Sequence, residues 1–170
     1  MGRVVLEMAE DISTDVIYPG RYMATVLPSE TPQFAFADLT EFNAALRGGK
    51  VPQGSVVVAG KNFGCGSSRE QAVSALKGYE LTIVAESFAR IFLQNSINLG
   101  LHLVTAPGFR ASEGDEVEVR AGEVVNRTTG TSVAIVQLPK ARQAIMEAGG
   151  LIAYTRKRLQ AKSGAAPSVR

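Results

Sequence analysis

The sequence predicts an α/β fold, a partly parallel sheet with an antiparallel hairpin extension toward the C-terminus. Two observations predict it. Three short apolar runs are separated by helical patterns with short connections, which is the β-α-β-α-β arrangement of a parallel sheet. Beyond Pro107 the pattern changes to alternation broken at turn residues, the mark of antiparallel strands. With 170 residues, 45% of them apolar, the chain is long enough to bury one ordinary core. A single domain over residues 1–155 is therefore expected, followed by a polar tail, 156–170, expected to be flexible.

The elements follow in order. "RVVLEM" (3–8) reads as a short strand. Residues 9–37 show no sustained period and include Pro19, Gly20, Pro28 and Pro32. A stretch of this kind inside a compact domain suggests a binding loop or lid. "DLTEFNAALRGG" (38–49) reads as a helix stopped by paired glycines. "SVVVAG" (55–60), "LTIVAES" (81–87) and "LHLVTA" (101–106) are the apolar runs of buried parallel strands. Between them "SREQAVSALKGY" (68–79) and "FARIFLQNSINLG" (88–100) are helical. "DEVEVRAGEVVNRTTGTSVAIVQL" breaks at "AG" and "TTG" into hairpins. "PKARQAIMEAGG" (139–150) is a last helix.

Composition excludes several functions. No apolar run reaches the roughly 20 residues of a spanning helix, and the N-terminal segment lacks the apolar region of a secretory signal. A net charge of +2 is too small to argue for nucleic acid. One cysteine fits a reducing, cytoplasmic setting, and with one histidine it leaves no metal site on this chain.

The informative stretch is "GKNFGCGSSREQA" (60–72), which joins an apolar strand to a helix. Ligands of parallel sheets sit at such strand-to-helix turns, where helix N–H groups favour an anion. Gly64 and Gly66 permit close backbone approach. The turn is no P-loop, because Cys65 stands where the second glycine belongs and Lys61 precedes the turn. It is no dinucleotide fingerprint either, because Arg69 holds the place of the third glycine. Ser67 with Glu70 has the spacing of a capping box. A cap accounts for one serine only. Ser67, Ser68 and Arg69 together suit an anion pocket with a hydroxyl aimed into it, since arginine binds carboxylates two-pronged. A Cys65 nucleophile served by His102 is the weaker alternative, because "LHLV" is an apolar strand in which a packed histidine is expected.

These residues resemble the small subunit of 3-isopropylmalate dehydratase, the swivel domain of the aconitase superfamily. "DISTDVIYPGRY" (11–22) and "SFARIFLQNSINLGL" (87–101) match the same family in the same order. The resemblance implies a swivelling β/β/α domain. It also implies a hydro-lyase that isomerises a hydroxy diacid by dehydration and rehydration, active only with a large subunit. The four-iron, four-sulfur cluster that accepts the hydroxyl is expected on that partner, with none on this chain. By motif, Ser67 is the expected base, as an alkoxide. Arg69 and Ser68 would bind a substrate carboxylate, and Asp15 would orient a histidine of the partner. Asn62, Gly64 and Gly66 would shape the pocket. Arg21 and the following Met23, Ala24 and Thr25 would read the substrate's side chain. That loop departs from the family's usual "LRT", because Ala24 replaces an arginine. 3-Isopropylmalate remains the expected substrate. Citramalate, dimethylmalate or homoaconitate types are alternatives, as is a non-catalytic anion-binding module. Arg90 and Asn95 are expected to fasten their helix to the glycine turn.

Overall fold

A computed structural model describes residues 1–164, with the side chains of 162–164 left out. Seven strands form one mixed sheet. They are β1 (Gly2–Met8), β2 (Val56–Ala59), β3 (Thr82–Ala85), β4 (His102–Thr105), β5 (Glu116–Arg120), β6 (Glu123–Asn126) and β7 (Thr131–Ala134). Their order across the sheet is β4-β3-β2-β1-β5-β6-β7. β1 to β4 run parallel. β5 pairs antiparallel with β1 at Gly2–Val117 and Arg3–Glu116, and β6 and β7 continue as hairpins. The C-terminal hairpins thus extend the same sheet through β1. No local sequence pattern announces that pairing, because it joins residues more than a hundred positions apart.

The apolar runs are apolar throughout because both faces of the sheet are covered. Side chains alternate along each strand. Val57, Ile83 and Leu103, paired in register, face one core together with Ala59 and Ala85. Val56, Val58, Val84 and Val104 face the other, with Phe109 and Val117. The helices α2 (Thr40–Arg47), α3 (Glu70–Gly78) and α4 (Arg90–Leu99) follow the expected order, and Leu46, Ala72, Leu76 and Phe92 of these helices close the first core. α4 ends at Gly100 in the left-handed region, φ 75°.

Two expectations change. The stretch 9–37 is not structureless. It holds a short helix, α1 (Thr14–Ile17), and 3₁₀ turns at Gly20–Tyr22 and Thr31–Phe34. Ile17, Tyr18, Thr31, Ala35 and Phe36 are fully buried there. Elements this short never complete the repeats on which a period depends. Any lid is confined to the exposed residues around Val26 to Glu30. The expected tail is helical as far as Gly164. After α5 (Lys140–Glu147), α6 runs Leu151–Gly164, while residues 165–170 lie outside the described residues. α6 is built from good helix formers rather than from a periodic apolar face, so its sequence resembles solvated chain. Ala153 and Tyr154 are half-buried, and residues 155–161 are exposed.

Because Ile83 is fully buried in the first core, Ile83→Ala is expected to lower stability by about 2–5 kcal/mol. Ile152→Ala on α6, where the residue is 77% exposed, is expected to change it by less than about 0.5 kcal/mol. Thermal and urea melts of the two variants check the contrast.

Candidate functional site

The site forms where the chain leaves β1 and β2. Their parallel pairing does not stop at the strand ends. The N–H of Gly60 donates to the Ala9 carbonyl at 3.1 Å, and that of Asp11 to the Lys61 carbonyl at 2.8 Å. Gly64 and Cys65 N–H groups both donate to the Ile12 carbonyl, at 2.8 and 3.1 Å, and Thr14 N–H donates to the Cys65 carbonyl at 2.8 Å. On the other side Phe63 N–H donates to the Ser87 carbonyl at 3.0 Å and Ala89 N–H to the Phe63 carbonyl at 2.9 Å. The glycine turn is thus clamped between the exits of β1 and β3.

Side chains tighten the clamp. Asn62 Nδ2 donates to Asp11 Oδ1 at 2.7 Å, and the Asn62 N–H donates to Ser87 Oγ at 2.9 Å. Gly64 takes φ 81°, and a Cβ there would overlap the Phe92 ring. Phe63 and Phe92 pack edge to face, 5.4 Å between centroids. Gly66, at φ 85°, sits against Ser13 Oγ. All three residues belong to this clamp, and Gly64 and Gly66, but not Asn62, line the cavity described below. Cys65 donates its S–H to the Asp11 carbonyl at 3.3 Å. His102 is exposed at the start of β4 and pairs there with Thr82, at the opposite end of the sheet from Cys65. A Cys65–His102 couple is therefore excluded, and the histidine is not packed in the core.

Ser67 does not cap a helix. α3 begins at Glu70 with Arg69 in the capping position and no side-chain cap bond. The chain bends at Ser67 and enters α3 through an extended Arg69, and Thr14 Oγ1 donates to the Ser67 carbonyl at 2.9 Å. The hydroxyls of Ser67 and Ser68 are exposed and make no hydrogen bond among the described residues. Both serines line a cavity of about 230 Å³ together with Gly64, Gly66 and Arg69.

Arg69 is anchored. Its Nη1 donates to Asp15 Oδ1 and, at 3.1 Å, to the Tyr18 carbonyl. Its side chain is 12% exposed, that of Asp15 57%. The hydrogen bond from Arg69 holds the Asp15 carboxyl below its usual value. Both anchoring bonds use Nη1, and among the described residues Nε and Nη2 carry no hydrogen bond.

The other expected substrate contacts lie apart from this cavity. Arg21 forms a two-pronged pair with Asp38 and lies 4.7 Å over the Tyr22 ring. Met23 packs on the first core, Ala24 is exposed, and the Thr25 carbonyl faces the Tyr18 hydroxyl at 3.5 Å. Two further residues line the cavity from α4. Arg90 and Asn95 sit on its wall and, among the described residues, make no hydrogen bond to the glycine turn, so they do not fasten it through such a bond. The turn is fastened by backbone bonds and phenylalanine rings instead. Among the described residues no group of three or more His, Cys, Asp or Glu is placed to hold a metal ion, and a lone cysteine does not suit an iron–sulfur cluster.

The aconitase C-terminal domain model matches residues 11–107, which span this whole constellation. The isopropylmalate/citramalate isomerase small subunit of Methanocaldococcus jannaschii is 42% identical over 91% of this chain and 93% of its own length. The chain belongs to the 3-isopropylmalate dehydratase small-subunit family. The 3-isopropylmalate dehydratase small subunit 1 of Methanopyrus kandleri is 47% identical over 84% of this chain and 85% of its own. A crystal structure of 3-isopropylmalate dehydratase from M. jannaschii superposes with a TM-score of 0.86 at 37% identity, covering 97% of this chain and 98% of that one. Membership in this family of the aconitase superfamily makes the chain part of a hydro-lyase. The expected fold class holds, including the antiparallel extension.

The Asp15–Arg69 pair gives a pH dependence. A carboxyl held below its usual value of 3.8 adds stability above that pH and loses it as pH falls through the lower folded-state value. Wild type is therefore expected to melt above Asp15→Asn at pH 7, and the gap should close as the pH falls below about 4. Melting curves between pH 7 and pH 2 measure the gap.

Proposed function

We propose that the chain is the small subunit of a cytoplasmic two-subunit hydro-lyase that interconverts 2- and 3-isopropylmalate, the isomerisation step of leucine biosynthesis. The observation that carries this reading is the Ser67-Ser68-Arg69 turn. It places unbonded hydroxyls on the wall of a cavity beside an arginine whose orientation is already set.

The reaction takes a proton from the carbon beside a carboxylate and a hydroxyl from the next carbon, then adds water back with the positions exchanged. Ser67 is the proton acceptor. A serine hydroxyl is a weak base, so its alkoxide needs electrostatic support from Arg69 and from the N–H groups that open α3. Arg69 binds the carboxylate through its free Nε and Nη2 edge, with Asp15 and the Tyr18 carbonyl as brackets behind it. Ser68 supplies a second donor to the same carboxylate. Asp15 keeps enough exposed surface to meet a histidine from the partner as well. The iron–sulfur cluster belongs on the large subunit, and no step on this chain uses it. Arg21, Met23, Ala24 and Thr25 read the substrate's side chain once the partner closes over them. A second substrate, citramalate, is favoured by the M. jannaschii relative, whose name carries both activities.

In the complex assembled with its large subunit, Ser67→Ala is expected to lower kcat by about a hundredfold or more with KM little changed. Its melting point should stay near wild type, because the hydroxyl makes no bond to lose. Steady-state kinetics on isopropylmalate, with melts alongside, test this. A near-normal kcat would remove Ser67 from the chemistry.

Arg69→Lys keeps the charge but loses the two-pronged edge, so KM should rise and kcat fall together. The same assay reads it.

A further inference from the structure

We propose that Arg90 is a second substrate-binding arginine, taking the carboxylate that Arg69 does not. The inference rests on the diacid reading above and adds a residue to it. A diacid brings two negative charges into a site that must exclude water, and each needs a partner there. Arg69 offers a free edge, but its charge is already balanced by Asp15. No Asp or Glu lines the 230 Å³ cavity, and Arg90 is the other cation on its wall.

Arg90 has no structural task to explain it. It is exposed, and among the described residues it has no hydrogen-bond or ion-pair partner. The work of holding α4 against the turn is done elsewhere, by the Phe63–Ala89 backbone bond and by the Phe63 and Phe92 rings. Asn95, five residues further along α4, lines the same cavity and adds an amide donor to its wall. Ser67 on the turn and Arg90 on the helix therefore border one space. A proton acceptor and an uncompensated cation both face it, which is what a doubly charged substrate requires.

The test compares Arg90→Ala, Arg90→Gln and Arg90→Lys with wild type in the assembled two-subunit enzyme. Assembly is followed by light scattering. The diacid is 3-isopropylmalate, and its two monoamides serve as competitive inhibitors. Arg90→Ala and Arg90→Gln should raise KM for the diacid at least about tenfold with a smaller change in kcat, and Arg90→Lys should recover part of the loss. The inhibition constant of one monoamide should be nearly unaffected by the substitution, because its amide has already removed the carboxylate that Arg90 would hold. An unchanged KM overturns the proposal. So does an equal penalty on the diacid and both monoamides, or a variant whose only defect is failed assembly. Ser67→Ala in the same complex separates the two readings. If it is inactive while Arg90→Ala keeps its KM, only the Arg90 assignment falls. If it turns over normally, the proton-acceptor assignment of Ser67 falls while the KM comparison still decides Arg90, and a wild-type complex that does not turn over 3-isopropylmalate removes the diacid reading itself.

Discussion

Everything at the site depends on two irregular stretches, 11–14 and 61–65, lying side by side as if the sheet had not ended. The backbone bonds between Asp11 and Lys61, Ile12 and Gly64, and Thr14 and Cys65 carry the β1–β2 register past the last regular strand residues. Backbone N–H and C=O groups in a buried turn must find partners or lose free energy. Here each stretch supplies the partners of the other. The left-handed residues Asp11 and Asn62, at φ 57° and 58°, face each other across the join and share the Asn62–Asp11 side-chain bond. Short polar side chains tolerate that conformation, and here they also bridge it.

The electrostatics follow from this frame. An arginine 12% exposed loses much of its hydration. The loss is offset by a carboxylate and a main-chain carbonyl, both supplied by the helical turn that starts at Thr14. α1 is therefore less a structural element than a bracket. Its N-terminus is capped by Ser13, whose Oγ accepts the Asp15 N–H at 3.1 Å. Thr14 holds the Ser67 carbonyl, Asp15 holds the guanidinium, and Tyr18 accepts from it. Consecutive residues of one segment thus fix both the serine and the arginine of the other.

Much of this was legible in the sequence. The buried parallel strands, the helices between them and the glycine turn could be read because apolar runs and stop signals are local. The pairing of β5 with β1 could not, because it depends on contacts between distant residues. Ser67 has the spacing of a capping box, yet the helix starts beyond it at Glu70, and the Ser67 carbonyl is held by Thr14, a residue distant in sequence. The ion pair of Asp15 with Arg69 lay hidden for the same reason. Each residue was singled out alone, and nothing in either motif says that they touch. In the sequence Arg90 reads as a fastening residue, because helical position tells where a side chain begins and not where it ends. α6 escaped notice because good helix formers without an apolar stripe resemble solvated chain.

The residues expected to choose the substrate and those expected to transform it hang on different parts of the frame. Arg21 is tied to Asp38, Tyr22 stacks on Phe34 at 4.1 Å, and the Tyr22 and Thr25 carbonyls accept from the Tyr18 hydroxyl, so the hydrogen bonds of this loop reach the anchors of Arg69 through Tyr18. The serines and Arg69 are moored to α1 and the strand exits. Replacements between Met23 and Glu30 therefore leave the bonds around Ser67 untouched. On the proposed roles, a change of substrate would require rewriting only a short exposed segment, with the bonds that hold the proposed proton acceptor left in place.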